Sequence, residues 1–262
     1  ERAQRAGRRF QAQVFDDYRQ LVVRNPVDLL ILAAPAHQCQ EYIKAALRKK
    51  CSVLKFLPPA INFERAAELA AIAKKEKVHF IPVNPGRFSD SSKQLDRFLE
   101  QTGTENIQLI RGTYCTAKPL DQLHDRWLSD PNLAGGGVLL RNCYEMIDQI
   151  LLRFNIPQQV YSLNTNHAPD RQQRLSITED IAVVTMKFSD TLMTSLVASR
   201  AFGPQENSIQ IHAKDRYCRV TPESCVLYDK FGDILESESW SVSAEENLTA
   251  FLENIAQSLL NP

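Results

Sequence analysis

Glycine is scarce in this chain, with 9 among 262 residues. No three of them fall in the Gly-x-Gly-x-x-Gly spacing that lets backbone amides close on a pyrophosphate at a helix N-terminus. Net charge is absent too: Lys+Arg and Asp+Glu each total 31, with pI ≈ 7.2. That balance gives no electrostatic footprint for nucleic acid or an anionic membrane. No apolar run approaches the ~20 residues needed to span a bilayer, and the N-terminus has no hydrophobic secretory segment. The 6 cysteines show neither CxxC nor CxxH spacing and sit mostly in apolar runs, which argues against structural zinc. They read as reduced core thiols of a soluble, cytoplasmic protein. Gly-x-Ser-x-Gly is missing, which argues against a hydrolase elbow. His124, His167 and His212 are scattered without metal spacing.

What is present is a regular alternation. Residues 1–10 read as the end of a helix, followed by a short strand, Gln13–Phe15, and a helix from Asp17 to Val23. Val27–Ala34 (VDLLILAA) is a near-continuous apolar run, as expected of a parallel strand buried on both faces, and Pro35 ends it. A helix from about His37 to Lys49 turns Tyr42, Ile43, Ala46 and Leu47 inward. Strand Ser52–Leu57 stops at Pro58-Pro59, a helix capped by Asn62 runs to about Lys75, and Val78–Val83 forms another strand. Strand, helix, strand, helix, strand with short links describes successive βαβ crossovers in a parallel sheet. After Asn84-Pro85-Gly86 the pattern changes: a helix over Ser91–Gln101, strand Asn106–Tyr114, and an irregular polar segment over 116–134. Beyond residue 157 come strands without intervening helices and then a final helix, Ala244–Leu260. Strands following strands imply an antiparallel or mixed sheet.

Between these halves stands Gly135-Gly136-Gly137, running into an amphipathic helix. Three consecutive glycines mark backbone that bends sharply or admits a close neighbour. On one continuous helix, Arg141, Glu145 and Asp148 at i, i+4 and i+7 share a face.

Several segments, in this order, resemble the Gfo/Idh/MocA family of glucose-fructose oxidoreductases, inositol dehydrogenases and their relatives. They are Asp28–Pro35 (DLLILAAP), Val53–Ala60 (VLKFLPPA), Asn84–Phe88 (NPGRF), Trp127–Gly137 (WLSDPNLAGGG), Glu179-Asp180 and the late hairpins. The resemblance implies an α/β protein: an incomplete Rossmann-like parallel-sheet domain over 1–86, then an α+β domain over 87–262 with an open, largely antiparallel sheet. It implies NAD or NADP as cofactor, a sugar or polyol as substrate, and a homo-oligomer through the C-terminal sheet. Two departures stand out. The family's opening strand and Gly-x-Gly-x-x-Gly turn have no counterpart, so a fragment or a chain with deleted ends is expected. Aligning Pro58 with the proline of the family's Glu-Lys-Pro puts Phe56 and Leu57 at the glutamate and lysine. Aligning the glycines puts Arg141 at a usual aspartate and Glu145 at the acid/base histidine, with Asp148 retained.

Hydride transfer at a hydroxyl carbon needs a group that exchanges the hydroxyl proton. The resemblance and this need together nominate Lys55, Glu145 and Asp148 as catalytic residues. Lys55 either reaches the space Leu57 faces, being two strand residues away, or is a plain strand lysine. A solvated Glu145 is expected to ionise near its reference value of ~4.3. Arg141 and Glu145 either bind a ligand or, more simply, form an i,i+4 ion pair contributing ~0.3 kcal/mol. Pro35, Pro58, Asn84 and Arg87 match positions lining the family's cofactor cleft, and His37 stands at the carboxyl end of a parallel strand, where open α/β sheets bind ligands such as a nicotinamide. As bare residues, His37 begins a helix and the others end strands or make a turn. Trp127, Gly136 and Arg141 are the substrate-binding candidates. Two functions follow: an oxidoreductase with an altered relay, or a non-catalytic relative used for ligand sensing or assembly.

Overall fold

A computed structural model describes residues 2–15, 17, 20–22, 25, 27–116, 126–166, 177–201 and 203–260. They form two compact units, Glu1–Pro82 and Val83–Pro262. His124 and His167 lie outside the described residues, as does much of the expected helix Asp17–Val23, of which residues 20–22 are helical.

The first unit contains α1 (Arg2–Phe10), β1 (Leu29–Leu32), α2 (Ala36–Arg48), β2 (Ser52–Phe56), α3 (Phe63–Glu76) and β3 (Phe80–Val83), whose last residue begins the second unit. The strands form a sheet in the order β1-β2-β3, and β1 and β2 run parallel with Leu30 opposite Val53. The apolar runs do what their pattern requires: Leu30, Ile43, Ala46, Leu47, Val53, Leu69 and Ala73 make one core. Full burial of a residue such as Ile43 or Leu47 contributes roughly 1.5–3 kcal/mol. Asn62 caps α3 by accepting from the Arg65 amide at 3.0 Å. The expected strand at Gln13–Phe15 does not form. The segment folds back on α1 instead: the Ala12 amide bonds the Gly7 carbonyl at 2.9 Å, and Val14 occupies the space a Gly7 side chain would need.

The second unit is an eight-stranded sheet in the order β11-β10-β9-β8-β4-β7-β6-β5. The strands are β4 (Ile107–Cys115), β5 (Gln159–Thr165), β6 (Ile181–Lys187), β7 (Met193–Ser199), β8 (Glu206–Ala213), β9 (Arg216–Val220), β10 (Ser224–Asp229) and β11 (Ile234–Ser239). Only the β4–β7 pair is parallel. One face packs under α4 (Asp90–Thr102) and α8 (Tyr144–Phe154), with Leu95, Phe98, Ile110, Met146, Ile150 and Leu196 in the shared core. Between β4 and α8 lie the short helices α5 (Arg126–Ser129), α6 (Pro131–Ala134) and α7 (Val138–Asn142). The last helix, α9 (Ala244–Leu260), sets Phe251 edge-on against Phe88, with centroids 6.0 Å apart. β11 has the half-polar sequence ILESES. Glu236 and Glu238 nevertheless point to the helix-covered face, where Arg97 and Gln94 on α4 bind them. All six cysteines are unpaired, and no helix among the described residues is long and apolar enough to cross a membrane.

Candidate active site

The glycine loop leads into two helices, not one. α7 ends at Asn142, Cys143 takes φ −101° and ψ 0°, and α8 starts at Tyr144. Cys143 is fully buried, so the break is fixed by packing. The break takes Arg141 off the helix that carries Glu145 and Asp148, and the expected Arg141–Glu145 ion pair does not form among the described residues.

Asp148 is instead held by the segment after β3. Arg87 donates to both carboxylate oxygens, Nε to Oδ2 at 2.7 Å and Nη2 to Oδ1 at 2.6 Å, and Asn84 Nδ2 donates to Oδ2 at 2.7 Å. Bidentate, charge-assisted contact is the strongest ordinary form of such a pair and fixes orientation as well as charge. Asp148 in turn raises the Arg87 pKa, chiefly through that hydrogen bond. The 3-10 turn Pro85–Phe88 carrying Arg87 is itself tied down: Ser89 and Gln149 both donate to the Gly86 carbonyl, at 2.7 and 2.9 Å. Arg153, whose side chain is 5% exposed, donates to the Ser92 carbonyl and pairs with Asp96 at 2.9 Å. Asn84 is buried, and its Oδ1 has no hydrogen-bond partner.

Glu145 lies one turn before Asp148 and is reachable from solvent. Its carboxyl sits beside Gly86, where a side chain would come within 3.5 Å of Oε2. Glu145 is exposed, but the crowding around its carboxyl governs its chemistry, because neighbouring groups displace water even where the side chain is accessible. That crowding, and then the Asp148 charge, push the Glu145 pKa up. The expectation of an ordinary, solvated carboxylate is corrected. One helix turn thus carries two carboxyls with different environments, Asp148 compensated by a guanidinium and Glu145 raised.

The other candidates are placed as follows. Trp127 is half-buried on α5, which Thr178 ties down by donating to the Leu128 carbonyl at 3.0 Å. Gly136 borders a recess of about 410 Å³ with Pro131, Asn164, Thr178 and Glu179. Arg141 is half-buried on α7. The residues that position this region were legible only as a weak Glu179-Asp180 motif. The Glu179 carboxylate accepts from the Gly137 and Leu139 amides at 2.7 and 3.2 Å, and its carbonyl accepts from Val138 at 3.0 Å. Asp180 pairs with buried Arg200 at 2.5 Å.

In the first unit, Pro35 stands at the N-cap of α2 and His37 in its first turn. Pro58 follows β2 across a cis Leu57–Pro58 bond. Lys55 is 1% exposed on β2; its ammonium donates to the Phe56 carbonyl, and burial lowers its pKa.

Two family profiles match the chain. One, described as the oxidoreductase family with NAD-binding Rossmann fold, covers residues 1–83, and the other, the GFO/IDH/MocA C-terminal domain, covers residues 93–217. Comparison with curated proteins gave no match. Solved structures share the fold. Levoglucosan dehydrogenase in complex with NADH and levoglucosan is 18% identical with a TM-score of 0.80, over 97% of this chain and 78% of that one. The WlbA dehydrogenase from Bordetella pertussis, in complex with NADH and UDP-GlcNAcA, is 17% identical with a TM-score of 0.77, over 98% and 76%. UDP-N-acetylglucosamine 3-dehydrogenase GnnA from Acidithiobacillus ferrooxidans is 17% identical with a TM-score of 0.73, over 98% and 78%.

The family implies a nicotinamide dinucleotide, and the first unit can be tested for it. Gly7 is the only glycine in residues 1–82, and its missing side chain makes room for Val14 Cγ2, which a Cβ there would meet at 2.3 Å. After β1 and β2 the described residues of this unit offer Pro35, His37 and Pro58. With both domain profiles matched in order and the fold shared along nearly its full length, the chain belongs to the Gfo/Idh/MocA oxidoreductase family.

Proposed function

We propose that this protein is a sugar- or polyol-directed oxidoreductase in which Glu145 exchanges the proton of the substrate hydroxyl. The observation that carries this reading is the carboxyl pair on α8. Asp148 is locked by Arg87 and Asn84 and so serves as a fixed counter-charge, while Glu145 is accessible and has a raised pKa. A raised carboxyl suits proton exchange because its basicity moves toward that of a group working near neutral pH. Lys55 is enclosed and bound to a backbone carbonyl, which supports a structural role in β2 and leaves the exchange to Glu145. Trp127, Gly136 and Arg141 are proposed to contact the sugar, and NAD or NADP is proposed as the cofactor, a reading supported by the NAD-binding Rossmann profile over residues 1–83. The sugar ligands of levoglucosan dehydrogenase and WlbA support the substrate class. Unpaired thiols support a reducing, cytoplasmic setting.

The test is NAD(P)-linked oxidation of a panel of sugars and polyols. Glu145→Gln is expected to lower kcat by 10²–10⁴-fold, roughly the range of a lost general acid/base, with unchanged unfolding. The rate of the wild-type protein should rise with pH through the raised Glu145 pKa, since the ionised form accepts the proton. Asp148→Asn removes the like charge, so that limb should move to lower pH. Turnover undiminished in Glu145→Gln would refute the assignment.

A second reading, a non-catalytic sugar binder or assembly subunit, is favoured by Leu57, which aligns with the family's lysine and cannot exchange a proton. It predicts sugar-induced thermal stabilisation without turnover. Either way we propose a homo-oligomer through the uncovered sheet face around β5–β7. There Tyr161, Leu163, Val183, Met193 and Val197 are exposed, by 81% at Leu163. Leu163→Arg is expected to dissociate the assembly in sedimentation velocity, and an unchanged sedimentation coefficient would place the interface elsewhere.

A further inference from the structure

The same uncovered sheet face changes character at its other end. Between the start of β4, the β8–β9 turn and the β10–β11 turn lies a recess of about 540 Å³. Its lining includes Arg111, Lys214, Arg216 and Lys230, together with His212 and Tyr217, and contains no carboxylate. In a chain with equal numbers of acidic and basic residues this local excess is not a consequence of composition. Among the described residues none of the four cations makes an ion pair. Arg216 donates to the Gln101 carbonyl at 3.2 Å, and Lys230 lies 4.9 Å from the centroid of the exposed Phe231 ring. The acidic residues of the same turns do not neutralise them. Asp229 accepts from its own turn, at the Phe231 and Asp233 amides, while Asp215 and Asp233 are exposed and unpaired with these cations. The wall is rigid and flat: His212 stacks on Tyr217 at 4.8 Å, and Tyr217 on Tyr228 at 4.6 Å, with planes within 16° and 9°. The field of the site is felt by His212, whose pKa is lowered by burial and then by Arg111.

Uncompensated cations around a concave, pre-formed surface are the arrangement that recognises a compact polyanion, because the protein has no internal ion pair to break on binding. We propose that this recess is a binding site for the polyphosphate group of a small molecule, distinct from the Glu145–Asp148 site. Arg111 and Lys214 hold the phosphates, Lys230 closes the rim, and the Phe231 ring offers a face to any attached aromatic base.

Inorganic tripolyphosphate and ADP, titrated calorimetrically into the whole protein, separate the phosphate from the base. Tripolyphosphate is expected to bind, with affinity falling as salt rises because the contacts are ionic. The combined variant Arg111→Gln, Lys214→Gln, Lys230→Gln should weaken it by at least about tenfold while unfolding as the wild type does, since all three residues are exposed. Tighter binding of ADP, lost in Phe231→Ala, would identify a nucleotide as the source; equal binding of both would identify phosphate alone. Failure of tripolyphosphate to bind, or binding unaltered in the combined variant, would overturn the proposal. Neither result bears on turnover at Glu145, which is read separately.

Discussion

Gly137→Ala is expected to destabilise the second unit by on the order of 4–7 kcal/mol, with a much smaller effect from Gly136→Ala beside it. The difference is one of space. A Cβ at Gly137 would lie 1.9 Å from the Glu179 carbonyl oxygen and 2.8 Å from its carboxyl carbon, whereas one at Gly136 meets the Leu140 side chain, at 3.1 Å from its Cβ and 3.5 Å from Cδ2. Gly137 has φ −101°, so the objection is the backbone it touches and not a left-handed conformation. Relief requires Glu179 to withdraw, and Glu179 is the acceptor for the amides of Gly137, Val138 and Leu139. A net bond is worth about 1 kcal/mol and one to a charged group about 1.5–3. Losing the three together gives the stated range. Urea unfolding measures it, and a loss below about 1 kcal/mol would show that Glu179 relaxes freely.

Arg200→Met should cost about 3–5 kcal/mol, the range found when one partner of a buried ion pair is removed. The two side chains are 6% and 5% exposed, and Arg200 also donates to Thr178 Oγ1 at 3.2 Å. Methionine keeps the volume but withdraws the Arg200 guanidinium from the buried Asp180 carboxylate. The double variant Arg200→Met, Asp180→Leu should recover much of the loss, because the cost lies in the uncompensated charge more than in the missing bond. Equal instability of single and double variants would show that packing, not charge, governs the site. Because Glu179 is the neighbour of Asp180, both variants test the same clasp on the start of α7.

The parallel strands were legible because burial on both faces requires long apolar runs, as in Val27–Ala34. Asn62 was legible as a cap because its chemistry is local. β11 was not, since its glutamates face the covered side only by virtue of Arg97 and Gln94 on α4, over a hundred residues away in sequence. The strand at Gln13–Phe15 was over-read, since alternation in three residues does not reveal whether a partner strand exists.

The candidate site divides along the same line. Residue identity alone gave the expectation that Leu57 and Glu145 align with the family's lysine and histidine, and it supplied the kinds of group on offer. Only the tertiary structure decided that Arg141 leaves the face of Glu145 at the Cys143 break, that Arg87 and Asn84 lock Asp148, and that Glu145 departs from an ordinary carboxyl. The reason is physical: the kinds of group available are written along the chain, whereas a proton affinity depends on the charges and the water excluded around a group, and those are supplied by segments distant in sequence.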